Sequence, residues 1–180
     1  MSDKVIVGSE EWCSFPNLGI PTIKARVDSG AKTSALHAIN IVTYEKNNEN
    51  WVKFDINPIQ NNAKAVIHCE APLIDKRVVK SSSGFREQRF VIRTKLEIGG
   101  KTWEIEVTLT NRDSMGFRML LGREAMSGRV LVDPEKSYLL RQPTNEKLKE
   151  YYYNSKEDKK GLKIGVLASN PELYSNKRII

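Results

Sequence analysis

Residues 26–34 read RVDSGAKTS, and the predicted fold depends on this stretch more than on any other. The residues leading into it, from Pro21 to Val27, are typical of a strand, and Asp28 stands where that strand ends. Gly30 permits a sharp turn directly after the acid, and Ser29 can hydrogen-bond to neighbouring backbone or to a facing copy of the same loop. Asp-Ser-Gly alone is weak evidence of catalysis, because such turns occur in many proteins.

A second element lies about 90 residues downstream, where Met119 to Glu124 read MLLGRE. The apolar residues predict a buried strand that ends in Gly-Arg. A short helix is expected near Arg123 to Ser127, followed by a further strand at Val130 to Val132. An acid loop and an apolar strand ending in Gly-Arg therefore bracket the central part of the chain.

Strand patterns dominate the first 140 residues. They are Pro21 to Val27, Trp51 to Ile56, Ala63 to Cys69, Phe90 to Leu96 and Trp103 to Leu109. Turn signals separate them, and Gly99-Gly100 predicts a hairpin that runs from Arg89 to Leu109. Many short strands with few helices predict an all-β domain, a closed barrel with one short helix.

The composition is that of an ordinary globular protein. The chain has 180 residues, of which 39% are hydrophobic and 28% are charged, so it is neither fibrous nor wholly disordered. No run of apolar residues reaches the roughly 18 needed to span a bilayer, and no secretory signal is recognised at Met1. We therefore expect a cytoplasmic protein with no membrane partner, whose two cysteines, Cys13 and Cys69, are free thiols.

Positive charge is concentrated in one short stretch, within a net formal charge of +7. Between Lys76 and Lys95 the only acid is Glu87, and the cations are Lys76, Arg77, Lys80, Arg86, Arg89, Arg93 and Lys95. Such a field attracts acidic peptides, nucleic acid or phosphate. The alternative is a solvated strand face that carries long cationic side chains.

The two elements together resemble the two signatures of the retropepsin fold, and their order and spacing match as well. The finer pattern resembles a bacterial retropepsin-like family, the RimB-like proteins, which are also named as ATP-dependent zinc proteases. The residues that carry this resemblance are Trp12, Leu18-Gly19-Ile20, Asp28 to Ala31, Ser34 to Ala38 and Leu121-Gly122-Arg123. Members are often encoded beside, or fused to, RimK-type ATP-grasp ligases, which add glutamates to protein C-termini.

The resemblance implies an aspartic-type peptidase in which Asp28, Ser29 and Gly30 form one half of the active site. Such an enzyme needs two carboxyls that share one proton, one to activate water and one to polarise the peptide carbonyl. The chain supplies a single Asp-Ser-Gly, and other acids such as Asp113 and Asp133 lack a following Ser/Thr-Gly. The active unit is therefore predicted to be a homodimer in which two copies of Asp28 meet across a two-fold axis.

A flap is expected over the cleft, and the basic region Asp75 to Arg89 falls where retropepsins place it. Its tip would be Ser81 to Gly84, and the alternative is an ordinary hairpin turn. The substrate-binding candidates in this region are Ser82, Ser83, Gly84, Arg86 and Arg89.

One departure from viral retropepsins concerns Lys32. Those proteins carry an acid four residues past the catalytic Asp, and it pairs with the arginine of Gly-Arg, here Arg123. Two nearby cations need an anion to neutralise them, so Lys32 and Arg123 are predicted to bind an acidic substrate side chain. The alternative is that Lys32 points into solvent and Arg123 pairs with another acid, such as Glu124 or Asp133.

No cofactor is predicted, despite the name of the family. The sequence has neither a His-Glu-x-x-His motif nor a paired-cysteine motif, and no phosphate-binding Gly-x-x-x-x-Gly-Lys loop. A zinc site drawn from His37, His68 and Cys69 stays open as a minor alternative. His37 is expected instead to pack as a structural residue behind the Asp28 loop.

The character of the chain changes near its C-terminal end. We predict a retropepsin-like domain over residues 1–142, a polar linker over 143–161 with a helical turn near Glu146 to Tyr153, and the truncated start of an α/β domain over 162–180. The last segment resembles the first strand and helix of a RimK-type ligase. The chain is therefore expected to be the N-terminal module of a protease–ligase fusion.

Three functions follow from these observations. The first is a homodimeric peptidase that acts on acidic, poly-glutamate-like protein tails. The second is a non-catalytic module that presents such tails to a RimK-type ligase, and the basic stretch serves either one. Nucleic-acid binding through the basic strands ranks last, because no RNA-binding motif is visible.

Overall fold

The computed structural model describes residues 3–59, 64–111 and 116–152. The strands are β1 Val5–Val7, β2 Glu10–Phe15, β3 Ile20–Asp28, β4 Ser34–His37, β5 Ile39–Lys46, β6 Glu49–Ile56, β7 Ile67–Lys80, β8 Arg86–Ile98, β9 Lys101–Thr110, β10 Met119–Gly122 and β11 Val130–Val132. A 3-10 turn covers Pro16–Leu18, and the helices are α1 Arg123–Met126 and α2 Asn145–Tyr152. None of these helices is long and apolar enough to cross a membrane.

Nine strands form one sheet in the order β2-β3-β10-β4-β9-β8-β7-β6-β5. β2 also pairs with β8, through Ser14 and Glu97, so the first six strands of that order return on themselves. The remaining pair, β1 and β11, forms a small parallel sheet in which Val5 lies opposite Val130. The predicted all-β class is confirmed, and closure of the ring rests on one residue pair.

The hydrophobic core lies inside this ring. Every second residue of β9 from Trp103 to Leu109 is buried, which is the alternation expected of a strand with one face on a core. β2 and β8 alternate in the same way, and the fully buried side chains include Phe15, Ile23 and Leu121. This core fixes β3 and β10 side by side, and those two strands carry the two motifs of the sequence.

A strap of residues 133–140 ties the end of the domain to its beginning. Glu11 on β2 is 1% exposed, and its carboxylate accepts hydrogen bonds from the backbone N–H groups of Gly8 (2.9 Å), Leu139 (2.8 Å) and Leu140 (3.3 Å). Tyr138 donates its hydroxyl to Glu10 at 2.6 Å. Burial, together with the hydrogen bond to Glu10, raises the pKa of Tyr138 above its ordinary value.

Helix α2 lies inside the segment predicted as a linker and packs on the domain. Leu148 is buried, and the Tyr152 hydroxyl hydrogen-bonds to the backbone of Thr22 on β3. The segment 162–180, predicted to begin an α/β domain, lies outside the described residues, and so does the rest of the linker from residue 153. The three-part division of the chain stays a prediction.

Candidate active site

The Asp28 loop is built where β3 and β10 run parallel. Leu121 lies opposite Val27 and Gly122 opposite Asp28, so the two sequence motifs end at the same place. One carboxylate oxygen of Asp28, Oδ1, accepts the backbone N–H groups of Gly30 (3.0 Å) and Ala31 (3.2 Å). The side chain is half-buried, so the loop holds the carboxylate in one orientation at the protein surface.

Gly122 is enclosed by the backbone that follows the Asp28 loop. A Cβ at this position would lie 2.6 Å from the carbonyl carbon of Thr33 and 2.8 Å from the nitrogen of Ser34. The Gly122 N–H donates to the Ser34 hydroxyl at 3.0 Å, and Ser34 is buried. The glycine of Gly-Arg is therefore required for close packing of β10 against the loop.

Replacing Gly122 by alanine is expected to destabilise the protein by about 2 kcal/mol or more, because the added methyl group meets backbone atoms that cannot rotate away. Urea unfolding followed by circular dichroism measures this. Gly100 offers a matched control, since no atom lies within 4 Å of a Cβ built there, although its φ of 76° adds some strain to Gly100→Ala. An equal loss of stability in both variants would contradict the packing explanation.

Arg123 and Lys32 both lie beside the loop, and both are exposed. The Arg123 guanidinium donates to the carbonyl oxygen of Gly30 at 3.2 Å, and its backbone N–H donates to Ala31. Lys32 lies 3.7 Å from Glu124, with 70% and 48% of the two side chains exposed. Glu124, one of the acids considered for Arg123, thus pairs with Lys32, and a pair this exposed contributes little stability.

An open cleft of about 420 Å³ lies directly against Asp28. Its lining consists of Arg26, Val27, Asp28, Ser29, Gly116, Phe117 and Leu120. Phe117 is buried and Leu120 is half-buried, so one wall is apolar while Asp28 and Arg26 supply charge. Asp28 and Ser29 are the predicted site residues that line this cleft, and Gly30 adjoins them through its N–H.

The predicted flap forms a long hairpin from β7 and β8. The turn is closed by hydrogen bonds from Ser81 N–H to Phe85 carbonyl oxygen (2.8 Å) and from Gly84 N–H to Ser81 carbonyl oxygen (2.9 Å). Ser82, Ser83 and Gly84 are exposed at its tip, and none of them lines the cleft at Asp28. The hairpin is present as predicted, and its role as a flap stays a prediction.

Neighbouring acids divide the cations of the hairpin into two sets. Ion pairs join Arg77 to Asp75 and Glu106, Arg89 to Glu87, and Arg93 to Glu104. Lys80 and Arg86 instead stand opposite each other across the hairpin and have no acidic partner within the described part of the chain. The unneutralised charge is thus smaller than the sequence suggests, and part of it sits at the tip.

The three candidate zinc ligands contact different partners. His37 is buried on β4, where its backbone N–H donates to the Arg118 carbonyl oxygen. His68 is exposed and its Nδ1 lies 2.6 Å from Asp55, while the buried Cys69 thiol donates to the Leu18 carbonyl oxygen. Over residues 3–59, 64–111 and 116–152, no group of three or more His, Cys, Asp or Glu side chains is arranged to hold a metal ion.

Burial accounts for the state of both cysteines. Cys13 and Cys69 are free and buried, and burial raises the pKa of each thiol to about 12. The prediction of free thiols is confirmed, and neither group has the low thiol pKa of a reactive cysteine.

Some residues of the site were not singled out from the sequence. Arg26 and Phe117 line the cleft, and the Glu87 carboxylate accepts hydrogen bonds from both Arg89 and Thr110. The acid Asp113, considered as a second catalytic carboxyl, lies outside the described residues. Only the position of Arg26, two residues before Asp28 on the same strand, could have been inferred in advance.

An all-β ring that sets an Asp-Ser-Gly loop beside a parallel strand ending in Gly-Arg defines the retropepsin-like class of acid-protease domains. Residues 6–143 match the family model described as RimB-like, "Retropepsin-like aspartic endopeptidase RimB". The match covers well over half of the chain, so the chain belongs to the RimB-like family.

Its relatives include much longer proteins. The chain is 57% identical over 181 residues to a "Probable alpha-L-glutamate ligase" of Shewanella halifaxensis, covering 100% of this chain and 40% of that protein. The corresponding protein of Desulfotalea psychrophila, with the same name, is 55% identical over 177 residues, covering 98% and 38%. The chain thus spans about 40% of the length of these relatives.

A solved structure shares the fold. The crystal structure of Lpg0085 from Legionella pneumophila, described as a protein of unknown function (DUF785), matches with a TM-score of 0.63 and 27% identity. The match covers 75% of this chain and 97% of that one. The match therefore spans nearly the whole of that solved chain.

Proposed function

We propose that this domain is an aspartic-type peptidase that works as a homodimer and cuts acidic protein tails. The observation that carries the proposal is the Asp28 carboxylate, oriented by two backbone N–H groups at the wall of an open cleft. Within the described residues, no second acid lines that cleft. A second copy of the chain would supply the missing carboxyl.

The reaction needs the two carboxyls close together, so that the pair holds one proton. One carboxylate takes a proton from water as the water oxygen attacks the peptide carbonyl carbon, and the other carboxyl gives its proton to the carbonyl oxygen. As the C–N bond breaks, the carboxyl that took the proton from water gives it to the leaving nitrogen, and the other carboxylate takes a proton back from a hydroxyl of the tetrahedral intermediate. The two acids exchange roles, so neither copy of Asp28 is permanently the base.

Preference for acidic tails is supported by the cations that lack a structural partner. Lys80 and Arg86 face each other at the tip of the hairpin, and like charges opposite one another on a sheet are unfavourable. A carboxylate-rich peptide would neutralise both. Arg77 and Arg93, by contrast, are already neutralised by acids of the domain.

The names of the relatives supply the biological setting. Proteins called alpha-L-glutamate ligases match this whole chain over about 40% of their length, so a ligase and this domain would belong to one protein there. A domain that removes glutamates, next to one named for adding them, would reverse the modification. The linker and ligase-like segments predicted from residue 143 onward fit the same arrangement.

A direct test compares cleavage of a glutamate-rich peptide with cleavage of the same peptide carrying glutamines. Mass spectrometry is expected to find cleavage of the first and little of the second.

The double variant Lys80→Glu with Arg86→Glu should raise KM for the acidic peptide by about 3- to 10-fold, because exposed charge pairs contribute modestly. Lys95→Glu is the control, since Lys95 is an exposed cation further from the tip.

The second candidate function is a binding module without catalysis, which the same unpaired cations support. It predicts that the acidic peptide binds and is not cut at any pH from acidic to neutral. Binding with cleavage supports the peptidase, and binding alone supports the module.

A further inference from the structure

The hairpin of β7 and β8 is only partly held to the body of the domain by backbone hydrogen bonds. The ladder between β8 and β9 begins at Ile98–Lys101 and ends at Val91, which lies opposite Thr108. Toward the turn, β8 continues from Phe90 to Arg86 and pairs with β7 alone. The outer hairpin therefore depends on side chains for its attachment to β9.

Glu87 provides one of these attachments. Its carboxylate accepts the Thr110 hydroxyl, at 3.2 Å to Oε2 and 3.4 Å to Oε1. The same carboxylate accepts Nε of Arg89 at 2.8 Å. Thr110 is 1% exposed and the Arg89 side chain 8%, whereas the Glu87 side chain is 28% exposed, so both partners of Glu87 are buried. We call the three residues Glu87, Arg89 and Thr110 the stem latch.

Charge makes the latch sensitive to the loss of Glu87. Arg89 stands opposite Arg77 across the hairpin, and two like charges in this position repel. Arg77 is neutralised by Asp75 and Glu106, whereas Arg89 has Glu87 as its acidic partner within the described residues. Because Arg89 is buried, removing Glu87 leaves a charge without compensation, which is more costly than keeping the pair.

Thr110 of the stem latch lies on β9 beside β4, and β4 in turn pairs with β10 next to the cleft. Thr110 pairs in register with His37 of β4, and its carbonyl oxygen accepts the N–H of Ala38. The backbone N–H of His37 donates to the carbonyl oxygen of Arg118, the residue after Phe117 of the cleft wall. A continuous set of hydrogen bonds thus runs from the hairpin stem to the segment beside Asp28.

We infer that Glu87 is a positioning residue that sets the angle of the β7–β8 hairpin relative to the Asp28 cleft, through Thr110. This inference rests on the proposed function in one respect, that the hairpin acts as the flap of a peptidase. The latch itself is a property of the fold and is tested without substrate.

The experiment uses hydrogen exchange on the full chain with the variants Glu87→Gln and Thr110→Val. Amides from Lys76 to Phe90 are expected to exchange at least about tenfold faster in both, because Glu87→Gln removes the charge that neutralises buried Arg89 and Thr110→Val removes the hydroxyl that bonds to Glu87. Trypsin should also cut faster after Lys80 and Arg86. Thr110→Ser retains the hydroxyl and is expected to behave as wild type, and Glu104→Gln changes an exposed acid of β9 as a control.

Two results would overturn the inference. One is unchanged exchange in the hairpin, and the other is an equal rise in exchange over the whole domain, which would mark Glu87 as merely stabilising. Should Glu87→Gln fail to fold, Thr110→Val still decides, because it keeps the shape of the side chain and the charge of Glu87.

Peptide cleavage separates this inference from the proposed function. If wild type cuts the acidic peptide, the latch variants are expected to lower kcat/KM about tenfold at an unchanged cleavage site. If wild type cuts nothing while exchange in the hairpin responds as described, the latch stands and the peptidase does not.

Discussion

Asp28→Asn is expected to lower the rate of peptide cleavage by at least about 10³-fold, because each subunit loses the carboxyl that takes and gives the proton. The fold should survive. The oxygen of an asparagine side chain can still accept the N–H groups of Gly30 and Ala31 that Asp28 accepts now. Mass spectrometry of the acidic peptide measures cleavage, and fluorescence anisotropy measures binding, which should persist.

The control for this variant is Asp133→Asn. Asp133 is also an acid in a turn, and its Oδ1 accepts the N–H of Glu135 at 3.1 Å. The control variant should cleave at the wild-type rate. Cleavage that persists in Asp28→Asn would show that a different group performs the chemistry.

Glu11→Ala is expected to destabilise the domain by about 3–5 kcal/mol, the largest loss of stability that we predict. Its carboxylate serves three backbone donors in a buried site, where Glu11 is 1% exposed. The substitution would leave the N–H groups of Gly8, Leu139 and Leu140 unpaired and detach the strap from β2. Urea unfolding followed by tryptophan fluorescence measures the change.

Glu49→Ala provides the comparison for Glu11→Ala, since Glu49 is an exposed acid on β6. It should change the free energy of unfolding by less than about 0.5 kcal/mol. A small loss in Glu11→Ala would mean that the strap contributes little to folding. A large loss in both variants would point to a general effect of charge.

The strands that the sequence predicts are those with alternating apolar residues. β9 is an example, whereas β10 was predicted from a continuous apolar run, and the all-β class followed from patterns of these two kinds. β4 was missed because Ser34–His37 is short and buried on both faces between β10 and β9, so it has no alternation. β5 was missed although Ile39, Ile41 and Tyr44 favour a strand; within the described residues it lies at the edge of the sheet and pairs with β6.

The outer half of β7 shows how tertiary context extends a strand. The strand pattern was predicted to end at Cys69, yet β7 runs to Lys80. Residues 71–80 include Pro72 and several charged side chains, which do not favour a strand by themselves. Pairing with β6 on one side and β8 on the other overrides this local preference.

In the site, the sequence predicted what local chemistry determines and missed what distant chain segments supply. The Asp28 loop could be predicted because its turn depends on Gly30, two residues away. Glu11 could not, because an acid on an alternating strand normally faces water, and the backbone donors that draw it inside are 128 and 129 residues away. Glu87 and Thr110 are 23 residues apart and meet only through the sheet.

The central claim is that two copies of Asp28 make one active site, and mixing two forms of the protein tests it most directly. Wild type and Asp28→Asn are mixed at constant total concentration and allowed to exchange subunits before cleavage is measured. If both carboxyls are required, activity falls with the square of the wild-type fraction, to about a quarter in an equal mixture. A fall in direct proportion, to about a half in the same mixture, would show that each chain cuts by itself.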